Sequence, residues 1–132
     1  MKGVDTNVLI RYFVRDDEEQ WKKAYSYLGQ NVSGESYFIS NVVLCETIWV
    51  LKAIYKRRKL ELVTLLKELL KKDSLVLENE LACRAALMKY EDGKGDFADY
   101  LIGQVNRGVG CVATVTFDQK LADDETFEVL DN

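Results

Sequence analysis

The chain has 132 residues, 48% hydrophobic and 30% charged, so it is long enough for one packed domain and too rich in apolar residues for a disordered one. It contains no histidine and three widely spaced cysteines. That excludes histidine-based nucleophilic and general-base chemistry and makes a zinc site improbable.

Read in order, "MKGVDTN" is a short apolar strand that breaks at Asp5, Thr6 and Asn7, residues suited to turns and helix starts. Residues 16–30 predict a helix with acids in its first turn and Gly29 at its end. Residues 36–40 form a strand. A long helix over 41–59, with Asn41 as its candidate cap, precedes a second helix over 60–73. Then come a strand (74–79), a helix (80–92), a "GKG" turn and a helix (96–108) closed by Gly108. "CVATVTFD" (111–118) is the clearest strand; "QKLADD" is a short helical turn and 126–130 a last strand. Strands alternating with helices predict an α/β fold with a parallel sheet covered on both faces, as one domain over 1–132.

No apolar run approaches the roughly 18 residues of a membrane span, and charges interrupt the amino-terminal segment too early for an export signal. Cys45, Cys83 and Cys111 lie in apolar segments and read as reduced packing residues. The expected location is the cytoplasm.

The acids fall at telling places. Ligands of open parallel sheets bind beyond the carboxyl ends of the strands. Asp5 ends the first predicted strand and Asp118 the fourth. Asp96 and Asp99 begin the helix that feeds the fourth strand. Glu46 lies mid-helix among Leu44, Cys45, Ile48 and Trp49, which predicts that it points partly toward protein. The four aspartates have ordinary alternative readings: Asp5 and Asp118 as caps, Asp96 with Asp99 as a capping box. Glu46 has none. Five converging carboxylates would repel one another, and a hard divalent cation resolves that repulsion while activating water near a phosphate.

"DTNVLIRYF" (5–13), "SNVVLCETIWVL" (40–51), "GDFADYLIG" (95–103) and "TVTFDQKLA" (114–122) resemble, in order and spacing, the four signatures of PIN-domain nucleases, and most closely those of VapC-type toxins of toxin–antitoxin modules. The resemblance implies Mg²⁺- or Mn²⁺-dependent endonucleolytic cleavage of RNA. It places Asp5, Glu46 and Asp99 on the family's central acids and Asp118 on its fourth. Asp96 becomes an accessory metal ligand or a helix cap; Thr6, Asn7 and Thr116 become polar supports. It implies a three-layer sandwich whose parallel sheet has the order 3-2-1-4-5. It also implies a homodimer and a VapB-like antitoxin that lays a helix into a groove.

The net charge of −4 runs against nucleic-acid binding, but without the five site acids it becomes +1. Arg11, Arg15 and Lys120 are candidate RNA contacts, with Lys52 and the "KRRK" run at 56–59 as further cationic positions. Helices 41–59 and 60–73 carry more apolar residues than one face can use, among them Trp49, Ile54, Leu65 and Leu70, and the surplus fits a dimer contact or a partner's helix. The competing function is a non-catalytic module that keeps the fold for binding or scaffolding. Receiver-like and dehalogenase-like sites fit poorly: no aspartate lies between 18 and 72, and Asn7 stands where a second dehalogenase aspartate belongs.

Overall fold

A computed structural model describes residues 1–131. They form an α/β structure with parallel strands and six α-helices, and the chain divides into two compact units, Met1–Glu78 and Asn79–Asn132.

In the first unit, β1 (Lys2–Gly3), β2 (Tyr37–Ile39) and β3 (Leu75–Leu77) make a parallel sheet in the order β1-β2-β3. Its helices are α1 (Thr6–Phe13), α2 (Glu18–Ala24), α3 (Asn41–Ala53) and α4 (Lys59–Lys71). Asp5 caps α1 by accepting from the Thr6 N–H at 2.9 Å, so the break read after the first strand is already a helix start. Asp17 caps α2, which then loosens into a π-helical turn at Tyr25–Gly29. A Cβ on Gly29 would lie 2.5 Å from the Tyr25 ring, so glycine leaves room for that ring.

The long helix read over 41–59 ends at Ala53, because Lys56 takes a positive φ of 56° and turns the chain back. Its cap is Ser40, whose hydroxyl accepts from Val43 N–H; the Asn41 N–H instead donates to Glu78. The "KRRK" run supplies the start of α4: Arg57 and Arg58 both reach Glu61, 3.4 and 3.3 Å away. Leu44, Leu51, Leu62, Leu66 and Leu69 are buried, together with Leu9, Leu28 and Ile39. Each contributes about 1.5–3 kcal/mol of apolar transfer. The apolar surplus that stays exposed is narrower than the sequence suggested: Val42, Trp49 and Ile54, joined by Leu60.

In the second unit, α5 (Glu80–Asp92) and α6 (Phe97–Gly108) pack together, and β4 (Thr114–Thr116) pairs in parallel with β5 (Phe127–Val129). The order 3-2-1 therefore holds in one unit and 4-5 in the other; the step from first to fourth strand is an expectation. Ala82, Ala86 and Tyr90 recur at four-residue spacing along α5 and are buried, as are Phe97, Tyr100 and Leu101 on α6. The segment 111–118 is much less strand than its apolar residues suggested: only Thr114–Thr116 pair, and Val112, Val115 and Phe117 are exposed. Among the cysteines only Cys83 is buried; Cys45 is half-buried and Cys111 exposed, which corrects the reading of all three as packing residues.

The "GKG" turn has a spatial cause. The Tyr100 hydroxyl accepts from the Gly95 N–H at 3.0 Å, and a Cβ on Gly93 would stand 1.9 Å from that hydroxyl and 2.8 Å from the Lys89 carbonyl. Gly93→Ala is expected to destabilise the chain by about 1–3 kcal/mol, read as a lower urea midpoint. A midpoint equal to wild type would show that the turn yields freely.

Candidate active site

In the first unit, Asp5 and Glu46 line one cleft of about 370 Å³, between the start of α1 and the middle of α3. Thr6, Asn7, Arg11 and Tyr55 complete its polar wall. Asp5 spends one oxygen on its cap. Glu46 is exposed, which corrects the expectation that it points into protein: the α3 residues that turn inward are Leu44, Thr47, Ile48 and Leu51, and Glu46 projects from the open side. Its carboxylate has no hydrogen-bond or ion-pair partner among the described residues. Thr6 is buried, and Asn7 is exposed at the cleft.

Arg11 does not hang free toward a substrate. Its Nε donates to Gln20 at 2.8 Å and its Nη1 to Asp16 at 2.9 Å and Tyr55 at 3.2 Å. Tyr55 in turn donates to Asp16. This cluster fixes a guanidinium in the cleft wall, and Nη2 keeps no protein partner among the described residues. Of the three residues that hold it, Gln20 and Tyr55 have no mark in the sequence, because neither lies in a motif. Arg15 is tied to Glu18 at 2.7 Å and stacks over Trp21 at 3.7 Å, so its first role is local.

In the second unit, Asp96 and Asp99 form the capping box that was the ordinary reading of their spacing. Asp99 accepts from the Asp96 N–H at 3.0 Å, and the Asp96 side chain accepts from the third backbone N–H of α6. The box uses one Asp99 oxygen and leaves the other without a protein partner among the described residues. Asp99 is half-buried, and that burial pushes its carboxyl above the usual range; Asp96 and Asp118 push it further, while the backbone bond and Lys120 oppose them. Asp118 caps the 3₁₀ turn Gln119–Leu121 through the Lys120 N–H, and Thr116 steadies it by accepting from the Asp118 N–H at 3.1 Å. Lys120 is exposed.

The sequence-picked acids therefore come as two sets, Asp5 with Glu46 and Asp99 with Asp118 and Asp96. Among the described residues, no three carboxylate, histidine or cysteine side chains gather into a group for a metal ion. What each set offers still fits a hard cation: oxygen donors only, carboxylate oxygens left over after capping, and a half-buried Asp99 whose charge is disfavoured. Mg²⁺ is commonly held by one or two carboxylates and several waters.

Compared with known families, residues 3–124 match the PIN domain. The chain belongs to the PIN domain family. PIN domains are typically nucleases, hydrolases that generally use divalent metals, and the family points to RNA as the bound partner. No curated protein matches the chain. The match spans both units of this PIN domain and all four acid-bearing segments. No helix among its described residues is long and apolar enough to cross a membrane.

Proposed function

We propose that this PIN domain is a metal-dependent endoribonuclease, a single catalytic domain to which both units contribute, and the toxin of a VapBC-type toxin–antitoxin module. The observation that carries the reading is the pairing of Asp5 with Glu46 on one cleft, with Glu46 left unpartnered among the described residues on a largely apolar helix. Water alone can solvate an exposed Glu46; what singles it out is that it shares the wall of one cleft with Asp5.

In this reading Asp5, Glu46, Asp99 and Asp118 are the catalytic acids and hold Mg²⁺ or Mn²⁺, with Asp96 divided between capping α6 and assisting. When bound, the cation supplies charge neutralisation at the scissile phosphate and lowers the pKa of water. The chain's own residues do the rest. The α1 cap fixes the Asp5 rotamer, and the capping box aims the spare oxygen of Asp99. Thr116 orients Asp118, while Thr6 and Asn7 support the Asp5 end. Arg11, locked by three partners, presents a fixed positive edge to a phosphate. Arg15 and Lys120 add positive charge at greater exposure.

The toxin assignment rests on the closeness of the four signatures to VapC-type proteins. Exposed Trp49, Ile54 and Leu60 suit the homodimer contact or VapB-like antitoxin helix that such proteins carry. A cytoplasmic location follows from the same reading.

The test is incubation of purified protein with total cellular RNA, with Mg²⁺, Mn²⁺ or chelator, beside Asp5→Asn. Discrete products that need metal and vanish in the variant are expected. Metal-independent products, or equal products from Asp5→Asn, would reject the catalytic assignment and leave the binding-module alternative.

A further inference from the structure

A second and larger cleft, of about 550 Å³, adjoins the one that holds Asp5 and Glu46. The two share Asn7 and Arg11 in their walls. Its remaining lining includes Val8, Gln20, Lys23 and Tyr27, so apolar and aromatic surface is bordered by amides and two cations. No acid lines it. Lys23 has no ion-pair partner among the described residues. Tyr27 is 49% exposed and Val8 42% exposed, although both are large and apolar in body.

We infer that this cleft is a subsite for an unstacked base of single-stranded RNA, next to the scissile phosphate; the inference rests on the ribonuclease reading above. A nucleobase is flat and apolar on its faces and hydrogen-bonding at its edge, and its phosphate is anionic. The cleft offers the counterpart of each: the Tyr27 ring and Val8 for the face, the Asn7 and Gln20 amides for the edge, Lys23 and Arg11 for the phosphate. Its volume lies within the range of ordinary ligand pockets. The shared wall explains the placement. A nucleotide whose phosphate meets Arg11 in the acid-lined cleft has its neighbour's base within reach of Tyr27. Arg11 is immobilised by Gln20, so the amide that reads the base edge also aligns the cation that grips the phosphate. A paired base is stacked and cannot enter, so the subsite selects single strands.

The experiment measures binding apart from cleavage. A labelled single-stranded RNA of about ten random nucleotides is titrated in chelator with wild type, Tyr27→Ala and Val8→Trp, beside a duplex of equal length. Tyr27→Ala removes the stacking face; Val8→Trp fills the cleft from an exposed position and leaves the contact of Tyr27 with Tyr37 intact. Thermal melts confirm that each variant is folded. Each variant should weaken single-strand binding by about fivefold or more, and wild type should prefer the single strand to the duplex. Unchanged single-strand affinity in a folded Val8→Trp, or duplex bound as well as single strand, overturns the inference and points to a protein segment as the occupant. If wild type cleaves RNA with metal and yet Val8→Trp binds normally, the subsite alone fails. If wild type never cleaves, the ribonuclease reading fails.

Discussion

Asp99→Asn is expected to cut metal-dependent RNA cleavage by at least about 100-fold, since substitutions one shell further from a metal already cost up to that much. The same substitution should raise the melting temperature of the metal-free protein at pH 7. The two effects have one origin. Burial, and then Asp96 and Asp118, disfavour the Asp99 charge. A carboxyl whose folded pKa is raised binds its proton more tightly in the folded state. Wild-type stability therefore falls as pH rises from the unfolded value, about 4, through the raised folded value, and the neutral amide escapes that loss. The gap between variant and wild type should open with rising pH and close in acid. The amide oxygen still accepts from the Asp96 N–H, so the helix cap survives. Mg²⁺ or Mn²⁺ should raise the wild-type melting temperature and move the variant's less. If Asp99 were only a cap, the pH profile would still change, but cleavage would not, and metal would raise the melting temperatures of variant and wild type equally.

The second large effect concerns stability alone. Lys89 on α5 reaches both oxygens of Asp124, at 2.9 and 3.0 Å, and Thr126 gives Asp124 two more bonds from its N–H and hydroxyl. The Asp124 side chain is only 11% exposed. Burial by itself would raise its carboxyl, but the bonds from Thr126 and Lys89 outweigh burial and hold it below the usual range. Lys89→Met leaves that carboxylate enclosed without its cation and is expected to cost about 2 kcal/mol or more, read from urea unfolding. The sign in pH is opposite to that of Asp99. A depressed carboxyl stabilises the fold above its unfolded pKa, and the contribution is lost as pH falls through the folded value. The difference between wild type and Lys89→Met should therefore shrink below about pH 4. A difference that stays constant into strong acid would mean that packing of the lysine stem, not its charge, is what the variant removes.

Much of the fold was readable because it depends on local periodicity and punctuation. The alternation of strands and helices, the helices over 80–92 and 96–108, and the acid-rich start of the second helix all come from spacing, glycine and capping residues. The errors are tertiary. Nothing local marks Lys56 as the turn that separates α3 from α4, since a positive φ at lysine is set by what the flanking helices pack against. The segment 111–118 has strong β-branched content, yet only three residues pair, because strand formation needs a neighbour and propensity supplies none. For the site, the positions of Asp5, Asp99 and Asp118 at element starts were legible, and so was the possibility that they act as caps; each does. The outward aim of Glu46 was not, because a helix of low amphipathicity leaves its rotation undecided until its partners are known. Gln20 and Tyr55 as holders of Arg11 lie 9 and 44 residues away from it, beyond any pattern in the sequence.

The claim that most needs testing is that acids from both units serve one reaction. The direct measurement is the single-turnover cleavage rate, in saturating Mn²⁺, of wild type, Asp5→Asn, Asp99→Asn and the double variant. Residues that act as a unit give losses that do not multiply. Each single variant should fall by about 100-fold or more, and the double should fall almost no further. Single variants that keep wild-type rates, or losses that multiply in the double as for independent sites, would contradict that claim.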